Sequence, residues 1–242
     1  MRIVVVSATS AIARGCIEQW AASGSHEVLL VGRSNERLQA IEADMSIRFP
    51  NSKFSSLAMH LDSTDEIARL TTLLEKKPVD LALVAQGSLT DQKSATLDLN
   101  YLKNQLELNA VSAALFTEAL SNLFERQGFG KLGVIGSVAG DRGRAYNYSY
   151  GAAKALLETY VQGLQQRLAG TKVSVSLIKP GPTATPMTAT HTGKMADVNQ
   201  VAKVIVAGMS KGKRVIYAPA LWRLIMLVVR NIPFFIFKRL GF

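Results

Sequence analysis

Apolar positions along this chain fall into short runs, separated by longer stretches with helical periodicity. Residues 2–6, rich in β-branched side chains, predict a buried strand; Ser7 to Ser10 form a turn of small residues, and 11–22 read as a helix. A second strand is predicted at 27–31, ending at Gly32-Arg33. Ser34 stands where an N-cap belongs, for a helix to Phe49 that Pro50-Asn51 stops. Strands follow at 54–60 and 80–84, with a helix between them opened by Ser63 or Thr64 and closed before Pro78. Helical periodicity runs from about 97 to 127, with a break near Asn109. The run 132–135 predicts a fifth strand, ending in Gly136-Ser137; a polar loop and the start of a helix carrying Tyr150 and Lys154 follow. Residues 172–178 predict a sixth strand, Pro180-Gly181-Pro182 a long irregular loop, 199–209 a helix and 214–217 a last strand.

Strands alternating with helices of ten or more residues mean βαβ units. The expected fold is α/β: a doubly wound, Rossmann-like parallel sheet of seven strands with helices on both faces. A chain of 242 residues suits one such domain, residues 1–218, followed by a C-terminal amphipathic tail, 219–242, of the same domain. In such sheets ligands bind beyond the carboxyl ends of the strands. Ser7, Arg33, Asp62, Gln86, Ser137 and Pro180 all fall at or just beyond predicted strand ends.

Chemistry concentrates between Lys131 and Lys154. If the helix holds across Tyr150 and Lys154, their i,i+4 spacing puts phenol and ammonium on one face, about 5–6 Å apart at Cβ. A fixed cation stabilises a phenolate, and Ser137 would reach the same crevice to hydrogen-bond a substrate oxygen. That is a site for moving a proton on or off a carbonyl or alcohol oxygen. A Tyr and a Lys four apart also occur as an ordinary solvated helix edge. The turn Ser7-Ala8-Thr9-Ser10-Ala11-Ile12-Ala13 has the strand–turn–helix setting of a dinucleotide site, but every expected glycine is Ser or Ala. Alone it is equally an ordinary βα corner. Arg33 offers a charge-assisted fork to the 2′-phosphate of NADP where an acidic residue would select NAD; Arg14 lies close enough to assist. Asp62 suits the adenine edge, or a turn or N-cap.

Composition adds two constraints. The single cysteine, Cys16, leaves no disulfide framework and fits a reducing compartment as a small buried hydrophobe. The opening MRIVVV runs straight into a turn, unlike a secretory signal or transit peptide. His26, His60 and His191 lack metal-ligand spacing, so no metal is expected. The net charge of +10 suggests an anionic partner, and its placement narrows the choice. From Val198 onward there is no Asp or Glu, while Arg223, Arg230, Lys238 and Arg239 flank apolar rows holding Trp222, Phe234 and Phe235. Arg230-Asn231 and Pro233 break those rows below the length of a membrane span, so the expectation is an interfacial helix, or a C-terminal helix buried in a dimer contact or under the substrate loop. A nucleic-acid partner is not. Arg142 and Arg144, in the loop after Ser137, could clamp a phosphodiester or simply be solvated.

Assembled, these residues resemble the short-chain dehydrogenase/reductases over about the first two hundred positions: Ser7–Ala13, Asp62, Ala85-Gln86-Gly87, Asn109, Ser137, Tyr150-x-x-x-Lys154 and Pro180-Gly181-Pro182-Thr183. The resemblance implies Tyr150 as acid/base, Ser137 holding the substrate oxygen, Lys154 binding ribose and lowering the tyrosine pKa, and Asn109 holding a water. It implies NADPH contacts from Ser7, Thr9, Ser10, Ala11, Ile12, Arg33, Asp62, Ala85, Gln86 and Gly87, and from Tyr150 and Lys154. Pro180, Gly181, Thr183 and Thr185 would lie along the nicotinamide. The missing glycines, and Ala85-Gln86 where Asn-Asn or Asn-Ala is commoner, are departures that bear on cofactor affinity. A narrower likeness, carried by Ala139–Arg144 and the Lys-Gly-Lys…Ala-Pro-Ala tail, is to reductases of decaprenylphosphoryl-2-keto-ribose. These work with a flavin oxidase partner and yield the arabinose epimer for the cell envelope. It implies a polyprenyl-linked sugar substrate and a cytoplasmic, homo-oligomeric enzyme, peripheral at the inner face of the membrane. The other readings are a soluble reductase of small carbonyl or acyl substrates, and a non-catalytic binding or scaffold subunit.

Overall fold

In the computed structural model, which describes residues 1–189 and 192–240, seven parallel strands form one sheet in the order β3-β2-β1-β4-β5-β6-β7. They are β1 (Arg2–Val6), β2 (Glu27–Gly32), β3 (Lys53–Ala58), β4 (Leu81–Val84), β5 (Phe129–Ile135), β6 (Lys172–Pro180) and β7 (Val215–Ala218). The central strands β1 and β4 are covered on both faces and read as apolar runs, whereas the edge strand β3 (KFSSLA) is only half-buried; alternate side chains enter opposite layers. Val4 and Val6 join a core with Phe116, Leu120 and Leu157. Ile3 and Val5 join another with Ile17, Leu38 and Ile205.

The first layer is covered by α3 (Thr64–Glu75), α6 (Ser112–Gln127) and α7 (Tyr148–Arg167), the second by α1 (Ala11–Ser23), α2 (Asn35–Arg48) and α8 (Val198–Ser210). Cys16 is fully buried in α1, and burial raises its thiol pKa. Ser34 and Ser63 cap α2 and α3 by accepting from Arg37 N and Glu66 N.

One short helix went unpredicted, α4 (Gln92–Leu97), N-capped by Asp91, and the helix expected in the tail is two, the second being α10 (Phe234–Phe237). The break expected near Asn109 is a π-helical segment, Glu107–Val111, joining α5 (Leu99–Leu106) to α6. Such wide turns recur at functional sites. After β7 the tail folds as α9 (Trp222–Asn231) and α10. His191 lies outside the described residues.

The chain builds outward from β1 to β3, then returns to continue from β4 on the other side of β1. The strand order therefore reverses between β1 and β4, where a crevice opens beyond the carboxyl ends.

Candidate active site

β5 delivers Ser137 two residues past its end, and a turn, Val138–Asp141, folds back against the start of α7. The approach is close because two side chains are absent. A Cβ on Gly140 would lie 2.9 Å from the backbone of Lys154 and Ala155, and one on Gly151 would lie 2.9 Å from the Ala139 carbonyl. This contact brings Ser137 beside Tyr150, near enough for its hydroxyl to favour the phenolate. Lys154, one turn further along α7, is buried, with its ammonium 5.7 Å from the Tyr150 ring centre. It donates to the carbonyls of Gln86 (3.1 Å) and Ile135 (3.2 Å). Two of its three N–H bonds are thereby used, leaving the third for a ligand.

Asn109 completes the group. Its side chain accepts from Ser88 N at 2.8 Å and donates to the Gln105 carbonyl at 3.0 Å. Gly87 separates it from Lys154: a Cβ there would sit 3.0 Å from both Asn109 Oδ1 and Lys154 Nζ, and its φ of 147° favours glycine. The four residues named from the sequence thus converge at the ends of β4 and β5.

The electrostatics depart from one expectation. Burial pushes the Tyr150 phenol up to about 12, only partly opposed by the Ser137 hydrogen bond. Burial also lowers the Lys154 ammonium to about 8. The Tyr150 pKa is thus raised rather than lowered, with burial the larger influence.

Beside this group lies a cleft of about 620 Å³, reached at Gly87 and lined at the β1 turn by Ser7, Thr9, Ser10, Ala11 and Ile12. Ser7 adopts φ 60°, the left-handed conformation for which the fingerprint normally uses glycine. The turn therefore keeps its shape despite the substitution, and the ordinary βα-corner reading loses its ground. Arg14, Arg33 and Arg37 also line the cleft. Arg14 pairs with Asp44 at 3.6 Å, and its buried Nε has no partner among the described residues. A dinucleotide with an extra phosphate fits this donor set. Arg37 was not singled out from the sequence; its position four after Arg33, in the first turn of α2, was the signal.

Other expected contacts are placed differently. Leu61, not Asp62, lines the cleft; Asp62 faces solvent, and Ser63 takes the cap. Gln86 turns inward and donates to Ser112 Oγ at 2.5 Å, so only its backbone serves the site. Ala85 and Thr185 line the cleft. Thr183 is buried and donates to the Gly181 carbonyl (2.9 Å), while Trp222 packs directly on Gly181. Pro180, Gly181 and Thr183 therefore shape the loop but do not line the cleft.

The loop arginines correct a further expectation. Arg142 donates through Nη1 to the carbonyls of Val229 (2.6 Å) and Ile232 (2.6 Å) and stacks 3.7 Å above the Phe237 ring. Arg144 is buried against Met226 Sδ at 3.4 Å. Both hold the tail, so neither stands ready as a substrate phosphate clamp. Beneath them Lys179 of β6 donates to Asp141 (2.6 Å) and Glu158 (2.7 Å), with Tyr217 and Arg230 also on Asp141. Burial alone would lower Lys179, but those hydrogen bonds raise its pKa above the ordinary value. A lysine inside the apolar strand VSVSLIKP was a legible sign of such buried partners.

A hydroxyl, a phenol and an amine at the end of a doubly wound sheet, beside a cleft with a dinucleotide turn, define an oxidoreductase that moves hydride and proton together. The short chain dehydrogenase family matches residues 1–196. An uncharacterised oxidoreductase of Streptomyces coelicolor is 30% identical over 242 residues, covering 98% of this chain and 95% of that protein. Among solved structures, a short-chain dehydrogenase of Burkholderia cenocepacia in complex with NADP superposes with a TM-score of 0.83 at 18% identity, covering 98% of this chain and 96% of the other. One from Sphingobium yanoikuyae in complex with NADPH gives 0.83 at 20%, covering 99% and 95%. The chain belongs to the short-chain dehydrogenase family, and is an NAD(P)-dependent oxidoreductase of that family. The scaffold-subunit reading is thereby set aside.

Proposed function

We propose that this enzyme uses NADPH to reduce a keto group on a sugar carried by a polyprenyl phosphate, a 2-keto-pentofuranose reduced to its arabinose epimer for the cell envelope. The observation that carries the reductase reading is the convergence of Ser137, Tyr150 and Lys154 beside a cleft lined by Arg14, Arg33 and Arg37. The NADP and NADPH held by the two structural relatives support the cofactor choice. The sugar assignment rests on the likeness of Ala139–Arg144 and of the tail to decaprenylphosphoryl-2-keto-ribose reductases.

Bound NADPH supplies the hydride. Ser137 and Tyr150 hydrogen-bond the carbonyl oxygen, and their donors become more valuable as negative charge grows there. A phenol near 12 stays protonated at neutral pH, and an alkoxide, about as basic as hydroxide, is a stronger base than its phenolate. Transfer from Tyr150 to the new alkoxide is downhill, which suits reduction. Lys154, at about 8, remains charged at pH 7 and directs its free N–H to the ribose. Asn109 holds the water beyond it.

The test is NADPH oxidation with a flavin oxidase partner and a prenyl-phosphoryl pentose. Turnover lost in Tyr150→Phe is expected; NADPH binding without turnover of the lipid-linked ketone would overturn the sugar assignment. A second reading, a reductase of a small carbonyl compound lacking phosphate, is favoured by the engagement of Arg142 and Arg144 with the tail.

A further inference from the structure

The tail is anchored on one side only. Met226 and Val229 of α9 are buried against Val138, with Trp222 and Ile225 packed beside them. On the opposite side of the helix, Leu221, Leu224, Leu227 and Val228 are 62% to 65% exposed, and α10 adds Phe234 at 73% and Phe235 at 64%. At 3.6 residues per turn, Arg223 and Arg230 fall along one border of that outer face, and Lys238 and Arg239 follow α10. All four cations are exposed.

We propose that this face docks into the interfacial layer of an anionic lipid bilayer. The exposed apolar area is contiguous along two successive helices and fixed in place, since Arg142 grips the end of α9 and stacks on Phe237. Fixed apolar faces of this kind mark interaction sites. Among the described residues no helix is long and apolar enough to cross a membrane, so the face lies in the interface with its cations at headgroup level. Charge selects lipid over a second copy of the chain. No Asp or Glu occurs from Val198 to Phe242, and a two-fold contact through this face would bring like charges together. Phosphatidylglycerol supplies the missing negative charge.

Docking also orients the enzyme. α9 rests on Val138, which follows Ser137, and on Gly181, which follows β6. The plate therefore borders the substrate side of the crevice and turns it toward the membrane surface. The docking itself does not depend on the identity of the substrate.

The experiment is co-sedimentation of the full chain with phosphatidylcholine vesicles, with and without phosphatidylglycerol. Binding is expected only with phosphatidylglycerol, weakening as salt is raised. Leu224→Glu/Phe234→Glu should weaken partitioning by at least about tenfold, as should Lys238→Glu/Arg239→Glu. NADPH binding, read by quenching of protein fluorescence, should be unchanged in both variants. An intact chain that stays in the supernatant with both vesicle types would overturn the proposal, as would glutamate variants that bind like the parent. So would a lipid-independent dimer that Leu224→Glu/Phe234→Glu dissociates, which assigns the face to a second copy. Vesicle binding without NADPH binding would instead remove the reductase reading and leave the docking surface standing.

Discussion

Replacing Lys154 by Met separates what the buried amine costs the fold from what it does in the site. Its pKa falls from 10.5 to about 8 through burial. At about 1.4 kcal/mol per unit, the charged form is about 3 kcal/mol worse off in the folded protein than in water. Methionine removes that penalty and roughly fills the space, but leaves the Gln86 and Ile135 carbonyls without their donor, a loss of about 1 kcal/mol each. At pH 7 the variant should be the more stable by about 1 kcal/mol. Between about pH 8 and 10.5 the unfolded wild-type chain holds a proton that the folded chain has released, so wild-type stability rises with pH through that window. By about pH 10 the order should reverse, with wild type ahead by about 1 kcal/mol. Urea unfolding of both proteins without cofactor at the two pH values measures this. Other titrating groups cancel in the difference. A difference that does not move with pH, or a variant less stable at both, would refute the reasoning; reductase activity should be lost throughout.

Tyr150→Phe should lower kcat by about 10²–10⁴-fold with NADPH affinity nearly unchanged, measured by steady-state oxidation and fluorescence titration. Arg33→Asp should shift the NADPH-to-NADH preference by about tenfold to a hundredfold, since one charge-assisted hydrogen bond is lost; an unchanged ratio would remove Arg33 as the phosphate reader. Ser7→Gly should raise stability by about 0.5 kcal/mol, the relief of φ 60° exceeding the entropy glycine adds to the unfolded chain. A lower melting temperature would count against it. Arg142→Ala should lower Tm through the freed carbonyls of Val229 and Ile232 while leaving KM unchanged; a raised KM at constant Tm would restore a substrate role.

Much of the fold was readable because buried parallel strands force continuous apolar runs, and caps such as Ser34 and Ser63 mark where helices begin. Ser137, Tyr150 and Lys154 were readable for a related reason: strand end and helix pitch fix their positions whatever surrounds them. What surrounds them was less visible. Nothing local to Arg142 or Arg144 tells a loop cation from one gripping a helix some eighty residues later. Asp62 and Leu61 differ only in which of two neighbours turns inward. Ser7 looked like the loss of a glycine, yet the backbone holds the glycine conformation. The fate of Tyr150 depends on total burial, which is a sum over the whole fold and leaves no trace at any single position.

Asp141 is held at once by Lys179, Tyr217 and Arg230, and sits four residues after Ser137. Any chain cut short after Ala218 would take Arg230 from that carboxylate and the tail partners from Arg142 and Arg144, and so slacken the bend that presents the hydroxyl. Deleting the last two dozen residues is thus a blunt instrument, since impaired turnover in such a fragment would say nothing about attachment. Surface swaps on the outer rim, far from that knot, are the way to ask the two questions one at a time.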